Sequence, residues 1–285
     1  MIKTILVPTD YSKNAHSAAK YALEIAHRTG AKVIFFNTYY VPTYVEKVPI
    51  DPVAEEDLRK DAEQILKAFS KEHTDAKKDI TIECIIKTGN AVEKIVAVAK
   101  EVSADIIIMG TKGASGVSEI IFGSNTEDVI EKVAVPVLAI PENSTYNGIN
   151  NIVFATAYHF SDFKAIKELA EIAKLFDAHI TIVHISEGEY KLGTEYDIFD
   201  SFKAKVKQQI SYSKTTFHLI EHKNIYNGLQ EFIHTNKTDL LSMTSRKKAL
   251  YNRLFGRSIS KKMAYHTDVP LLVFKISEDD EITQF

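Results

Sequence analysis

The chain has little of several features that mark particular classes of protein. It holds one cysteine, so an intramolecular disulfide is excluded. Its formal net charge of −3 gives no broad electrostatic reason to expect a nucleic acid or an anionic membrane as a partner. No run approaches about eighteen apolar residues, and the amino terminus leads into a predicted strand without a signal-peptide pattern. Together with 45% hydrophobic and 26% charged residues, these absences predict a soluble cytoplasmic protein.

Metal and thiol chemistry are also poorly represented. The 10 histidines are scattered, with no His-Glu-x-x-His spacing and no cysteine pair, so no metal-ligand pattern is recognised. Cys84 lies in the alternating run from Ile82 to Ile86, which predicts a thiol in a protein core and not a reactive group.

An internal repeat divides the chain near residue 145. Four segments of the first half recur in the same order in the second: 3–9 as 150–156, 31–37 as 178–184, 104–109 as 238–243, and 135–138 as 269–272. Each half alternates apolar strands with helical segments, which is typical of a parallel sheet covered on both faces. The sequence therefore predicts two α/β domains, 1–145 and 149–285, connected through the polar, turn-rich segment 141–148.

Five strands are predicted in each half. They lie near residues 2–9, 32–38, 80–86, 104–110 and 136–140, and near 150–156, 178–184, 215–221, 239–243 and 270–275. The segment 41–49 contains two prolines that inhibit regular structure, and it is interpreted either as a lid over a ligand or as a long connection.

A glycine-rich segment follows the fourth predicted strand. Residues 109–124 hold four of the 11 glycines, directly after the apolar run 106–108. Gly110 and Gly113 would let main-chain N–H groups approach an anion, and Gly123 with Ser124 stands where a helix could begin. This arrangement favours triphosphate binding, although such glycines can also serve only a tight connection. No Gly-Lys-Ser/Thr occurs, so the common P-loop is excluded.

A carboxylate ends the first predicted strand. Asp10 follows the apolar run 5–7 and precedes a helical pattern of alanines over 14–27. Ligands bind at the carboxyl edge of doubly wound sheets, and Asp10 could accept hydrogen bonds there from ribose hydroxyls or an adenine amine. The alternative is that Asp10 only caps the helix.

The second half lacks these groups. Ala157 stands where the first half has Asp10, and Thr244 and Lys247 replace the first two glycines. We therefore expect no ATP binding there. A basic cluster over 245–257 could still attract a phosphate or an acidic partner by charge, and the alternative is a surface for a partner protein.

The spacing Gly110-x2-Gly113-x9-Gly123-Ser124 resembles the nucleotide signature of the universal stress protein family. The resemblance implies a doubly wound, adenine-nucleotide alpha-hydrolase-like fold whose last strands pair across the two domains in an intramolecular pseudo-dimer. It implies ATP as the ligand, with any Mg²⁺ held largely by the phosphates. The implied nucleotide-binding residues are Pro8, Thr9, Asp10, Thr38 after the second strand, Met109, Gly110, Thr111, Lys112, Gly113, Gly123, Ser124 and Asn125.

Three functions are compatible with these residues. The first is an ATP-binding stress or signalling regulator whose bound state changes its surface for a protein partner. The second is slow ATP hydrolysis or nucleotidyl transfer, although no carboxylate or histidine of the motif is an evident catalytic base. The third is an interaction module without nucleotide. AMP in place of ATP, and further homodimerisation, stay open.

Overall fold

The fold is built on a single sheet of ten strands. The computed structural model describes residues 2–41, 52–74, 79–111, 124–142, 144–188, 192–245 and 268–275. Their strands are β1 (Thr4–Pro8), β2 (Lys32–Tyr39), β3 (Ile82–Thr88), β4 (Ile106–Gly110), β5 (Val137–Ile140), β6 (Asn151–Ala155), β7 (His179–Ser186), β8 (Thr215–Glu221), β9 (Leu240–Ser245) and β10 (Leu271–Lys275). All ten lie where the alternating apolar runs predict them.

Helices connect most of these strands. Among the described residues they are α1 (Lys13–Thr29), α2 (Pro52–Thr74), α3 (Ala91–Glu101), α4 (Ser124–Lys132), α5 (Phe160–Phe176), α6 (Leu192–Gln209) and α7 (Ile225–Thr235). None of these helices combines the length and the apolarity needed to cross a bilayer.

Helix α1 shows how the local sequence produces these elements. Its alanines at helical spacing are buried and let the helix pack closely on the sheet. The side chain of Ser12 accepts a hydrogen bond from the N–H of Ala15 and so caps the first turn. Gly30 ends the helix in the left-handed conformation, with φ at 71°. The residue that caps the start of α1 therefore lies two positions beyond Asp10.

Each half of the sheet is parallel and doubly wound. The strand order is β3-β2-β1-β4-β5-β10-β9-β6-β7-β8, so each half places its first strand beside its fourth. The chain turns outward from β1 to β2 and β3, and then crosses back to β4 on the other side of β1. The predicted α/β class with two five-stranded repeats is confirmed.

The two halves join through their last strands. β5 and β10 pair antiparallel, with Leu272 opposite Leu138 and Val273 opposite Val137. Because all other pairs in the sheet are parallel, the strands of the two halves run in opposite directions. Their carboxyl edges therefore lie at opposite ends of the sheet. The predicted pairing of the last strands in a pseudo-dimer is confirmed.

The connection between the halves packs on α1. The hydroxyl of Tyr21 donates to the carbonyl oxygen of Thr145 at 3.2 Å, and Tyr146 stacks edge-on against Tyr21 at 5.1 Å. The Ser17 hydroxyl donates to the carbonyl oxygen of Glu142 at 3.2 Å. The connector is thus attached to the first half by hydrogen bonds and ring contacts.

Cys84 does not lie in a core, and that prediction is wrong. Its strand β3 forms one edge of the sheet, and the residue is exposed. Partial burial nevertheless raises the pKa of the thiol, against the smaller effects of Ser70 and Lys67 on α2. A raised pKa opposes the thiolate form that makes a cysteine reactive.

The contact between opposed leucines at the β5–β10 join can be tested by mutation. Leu138 and Leu272 belong to one buried cluster, so we expect each change to alanine to lower the free energy of unfolding by about 2–5 kcal/mol. The double variant should lose less than the sum, because the two side chains are opposite each other. Urea denaturation measures this, with the exposed Ile65→Ala as a control expected to change stability by about 0.5 kcal/mol or less. Strictly additive losses would contradict the contact.

Candidate functional site

The first half has a crevice at the carboxyl edge of its strands. β1 lies between β2 and β4, and the connections leaving β1 and β4 go to opposite sides. Helices cannot cover the sheet edge at such a reversal, so it is the usual ligand site of doubly wound sheets. The edge brings together the segment 8–10, the end of β2 and the end of β4, which come from three distant parts of the sequence.

Three hydrogen bonds hold Thr9 in place. Its N–H donates to the Phe36 carbonyl oxygen at 2.8 Å, and its own carbonyl oxygen accepts from the Asn37 side chain at 2.7 Å. Its hydroxyl accepts from the N–H of Tyr11 at 3.0 Å. These contacts fix the position of the loop between β1 and α1.

Asp10 lies exposed on this edge. One carboxylate oxygen accepts from the N–H of Ser12 at 3.1 Å, which forms a local turn. The side-chain cap of α1 comes from Ser12, so helix capping does not explain the carboxylate at position 10. Tyr11 adopts a left-handed φ of 63° between them, and this bend turns the chain from the strand into the helix.

Two further residues of the predicted site, Thr38 and Met109, lie within strands. Thr38 does not follow the second strand, because β2 extends to Tyr39 and Thr38 pairs with Lys87 of β3. It lies beyond the end of β1, whose register with β2 stops at Pro8 and Phe36. The side chain of Met109 is buried in the core between the sheet, α3 and α4, so only its main chain faces the edge.

Gly110 is required by packing as well as by any ligand. A Cβ atom at this position would lie 2.5 Å from the Cβ of Asn14 and 2.9 Å from its carbonyl carbon. The first turn of α1 therefore approaches the end of β4 more closely than any side chain at position 110 would allow. The packing of α1 against β4 therefore requires glycine at position 110, whether or not a phosphate binds there.

Two threonines fix the start of α4 and the end of β4. The Thr126 hydroxyl donates to the Gly110 carbonyl oxygen at 2.9 Å, which holds the first turn of α4 against β4. The N–H of Thr111 donates to the carbonyl oxygen of Ile140 at 3.0 Å, and its hydroxyl accepts from Asn14 at 3.4 Å. The amino end of α4, with its positive dipole, therefore lies beside the crevice.

Ser124 and Asn125 occupy that amino end. Ser124 is the first residue of α4, and Asn125 follows it with an exposed side chain. Lys112, Gly113 and Gly123 lie outside the described residues, as do 42–50 and the basic cluster after Ser245. The described site therefore consists of the strand ends and the amino end of α4.

The second half repeats the backbone of the first. Thr156 N–H donates to Val183 at 2.9 Å, and the Thr156 hydroxyl accepts from Tyr158 at 3.0 Å, as Thr9 does with Phe36 and Tyr11. Tyr158 also has a left-handed φ, of 59°. The repeat inferred from weak identity thus extends to individual hydrogen bonds.

The side chains at the second crevice are different. Thr244 takes the place of Gly110, and its hydroxyl donates to Asp162 at 2.8 Å. The same carboxylate accepts from the Thr156 hydroxyl at 2.7 Å and from the N–H of Ala157 at 3.2 Å. Asp162 is completely buried. A threonine and a carboxylate therefore fill the space between the first strand, the fourth strand and the following helix.

A second group of side chains fills the neighbouring part of this crevice. His184 stacks on Tyr158 at 3.9 Å between ring centroids, and its Nε2 lies 3.5 Å from a carboxylate oxygen of Glu195. The Ser186 hydroxyl donates to the other oxygen of Glu195 at 2.6 Å. Burial lowers the pKa of His184, while the Thr156 carbonyl and Glu195 oppose that shift. Burial raises the pKa of Tyr158.

Sequence reasoning missed the residues that hold the first crevice together. Asn14, Asn37 and Thr126 each contribute one hydrogen bond between distant segments. No motif marks them, and the one available signal is that each is a polar residue within or beside a buried element.

Comparison with known proteins places both halves in one family. The sequence model of the Universal stress protein family matches residues 1–141 and again 148–275. Universal stress protein MJ0531 of Methanocaldococcus jannaschii is 32% identical over 143 residues, which cover 49% of this chain and 82% of that protein. A universal stress protein of Thermus aquaticus is 30% identical over 143 residues, covering 49% of this chain and 99% of that protein.

A solved structure shares the fold over nearly the whole chain. The crystal structure of a universal stress protein from Archaeoglobus fulgidus superposes with a TM-score of 0.73 at 18% identity. The superposition covers 95% of this chain and 98% of the other. Both repeats are therefore found together in another protein of the same architecture.

The close approach at Gly110 predicts a stability effect without any ligand. Gly110→Ala should lower the free energy of unfolding by about 1–3 kcal/mol, because α1 must move away from β4. Denaturant unfolding in nucleotide-free buffer measures this. An unchanged stability would mean that α1 is not held against β4 as described.

Asp162 predicts a pH dependence. Burial raises the pKa of Asp162 to about 6 from 3.8, and Thr156, Thr244 and Ala157 only partly counter it. The carboxyl is neutral in both states below pH 3.8, and the folded state must ionise it as the pH rises through about 6. The stabilisation present in acid, on the order of 3 kcal/mol, is therefore lost on going to neutral pH.

The matched variant is Asp162→Asn, which keeps an acceptor for Thr156 and Ala157 but cannot ionise. Unfolding free energies at several pH values between about 4 and 7 should fall with pH more steeply for the original protein than for this variant. Equal slopes would show that Asp162 ionises normally.

Proposed function

Because the chain belongs to the universal stress protein family, we propose that its first half binds an adenine nucleotide, ATP with Mg²⁺, and that its second half does not. The bound nucleotide changes the surface of the first half for a protein partner, so the protein acts as a nucleotide-dependent stress or signalling regulator. The observation that carries the proposal is the contrast between the two crevices.

The first crevice supports nucleotide binding at both ends of the ligand. Asp10 is exposed on the edge, and a carboxylate there can accept hydrogen bonds from ribose hydroxyls or an adenine amine. The main chain of Thr38 lies past the end of β1, where an adenine ring would meet it. The amino end of α4, which starts at Ser124, offers N–H groups and a positive dipole to phosphates.

Residues outside the described ranges complete this proposal. Lys112, Gly113 and Gly123 belong to the same glycine-rich segment, which continues directly from the end of β4 and returns at α4. We propose that main-chain N–H groups of this segment surround the phosphates, with Asn125 contributing its own N–H.

The second crevice has the opposite properties. Ala157 has no side-chain acceptor for a ribose. Thr244 and Asp162 occupy the space near the strand end, and an ionised Asp162 would repel phosphate oxygens. Tyr158 and His184 stack on each other beside it. We therefore propose one nucleotide for each chain.

Calorimetry with Mg-ATP tests both parts of the proposal. We expect a stoichiometry of one, and a loss of affinity of at least ~10-fold for Asp10→Ala and for Gly113→Val, since each removes a hydrogen bond or blocks close approach. Glu187→Ala is the matched control, because it removes an exposed carboxylate that follows β7 in the second half. Its affinity should be unchanged.

Two outcomes would overturn the proposal. Equal affinity in all four proteins would end the assignment of the site, and a stoichiometry of two would end the restriction to the first half. Mass spectrometry of any nucleotide released on denaturing the purified protein separates ATP from AMP. ADP or AMP that accumulates faster with the original protein than with Asp10→Ala would instead indicate hydrolysis or nucleotidyl transfer.

A further inference from the structure

Helices α1 and α2 meet at a cluster of two imidazoles and a carboxylate. His16 Nδ1 lies 2.9 Å from His73 Nε2 and 3.6 Å from a carboxylate oxygen of Glu72. One ligand atom from each of the three residues lies within 4.8 Å of the other two. Three groups that commonly bind metals therefore converge on one point.

Packing holds the two imidazoles in place. The ring of Phe69 lies 4.9 Å from the ring of His16 and 4.8 Å from that of His73. Phe69 is itself buried against Tyr11 and Phe35. The imidazoles thus rest on an apolar support that limits their rotation, and the ligand geometry exists before any ion binds.

We propose that His16, Glu72 and His73 bind one divalent transition-metal ion, for which Zn²⁺ is the best match. Zinc binds imidazole nitrogen and carboxylate oxygen at about 2.0–2.2 Å, and a tetrahedral arrangement places such ligand atoms ~3.3 Å apart. The observed 2.9 and 3.6 Å lie on either side of that spacing. Three protein ligands leave a fourth position for water or another donor.

Without an ion, a hydrogen bond between the two imidazoles holds the cluster together. A neutral imidazole carries one N–H, so one ring donates to the other across the 2.9 Å contact. The nitrogen that donates this hydrogen bond must be free of its proton to bind a metal. The proton therefore moves to the other nitrogen of the same ring, and both imidazoles stay neutral.

The ion would cross-link two helices. His16 lies in the first part of α1, whereas Glu72 and His73 lie in the last turn of α2, 57 residues from His16 in the case of His73. A metal bound only by the folded arrangement stabilises that arrangement by mass action. Zn²⁺ should therefore raise the melting temperature of the metal-free protein.

Metal titration of the full chain tests the proposal without nucleotide. After removal of metals with a chelator, Zn²⁺ is titrated by competition with a chromogenic chelator, and Co²⁺ is added to record the visible absorption of a tetrahedral ion. We expect one equivalent in the original protein. His16→Gln, His73→Gln and Glu72→Gln should each weaken binding by at least ~10-fold and remove the rise in melting temperature.

The matched control is His27→Gln, which removes an exposed imidazole from the last turn of the same helix α1 and should bind Zn²⁺ normally. Circular dichroism is used to check that each variant folds. The Glu72 side chain is 64% exposed, so we expect Glu72→Gln to leave the packing intact. Absence of binding in the original protein would overturn the proposal. So would one full equivalent retained by the double variant of His16 and His73.

Discussion

The antiparallel pairing of β5 with β10 determines how the whole molecule is arranged. Three residue pairs between these strands join two parallel sheets into one, and a shared buried cluster continues across the join. Because the join reverses the strand direction, the two carboxyl edges face away from each other. Among the described residues, the hydrogen bonds reported at each crevice join residues of one half only.

The residues that form the contact between the first helix and the fourth strand differ between the two crevices. In the first half, the absence of a side chain at Gly110 lets Asn14 of α1 pack directly against the end of β4. In the second half, Thr244 reaches Asp162 on α5, and four polar groups are satisfied internally. The same backbone thus carries different side chains at the two edges, beginning with Gly110 at the end of β4 and Thr244 on β9.

Much of the fold could be predicted from the sequence because strand periodicity and the repeat are local or regular signals. The order of strands across the sheet is not local, which explains the error at Cys84: an apolar alternation does not reveal that β3 lies at the edge. The cluster of His16 and His73 was not predicted for the same reason, since its members belong to two helices that are distant in the sequence. The burial of Asp162 was not predicted, because a carboxylate in a helix is usually a surface residue.

The connector that packs Tyr146 on Tyr21 makes the two repeats parts of one polypeptide. In a symmetric homodimer every substitution appears twice, so a change that closes one crevice closes both. Covalent fusion removes that symmetry. A substitution in one repeat can then change one crevice and leave the other as it was. Two identical subunits could not form such an asymmetric molecule.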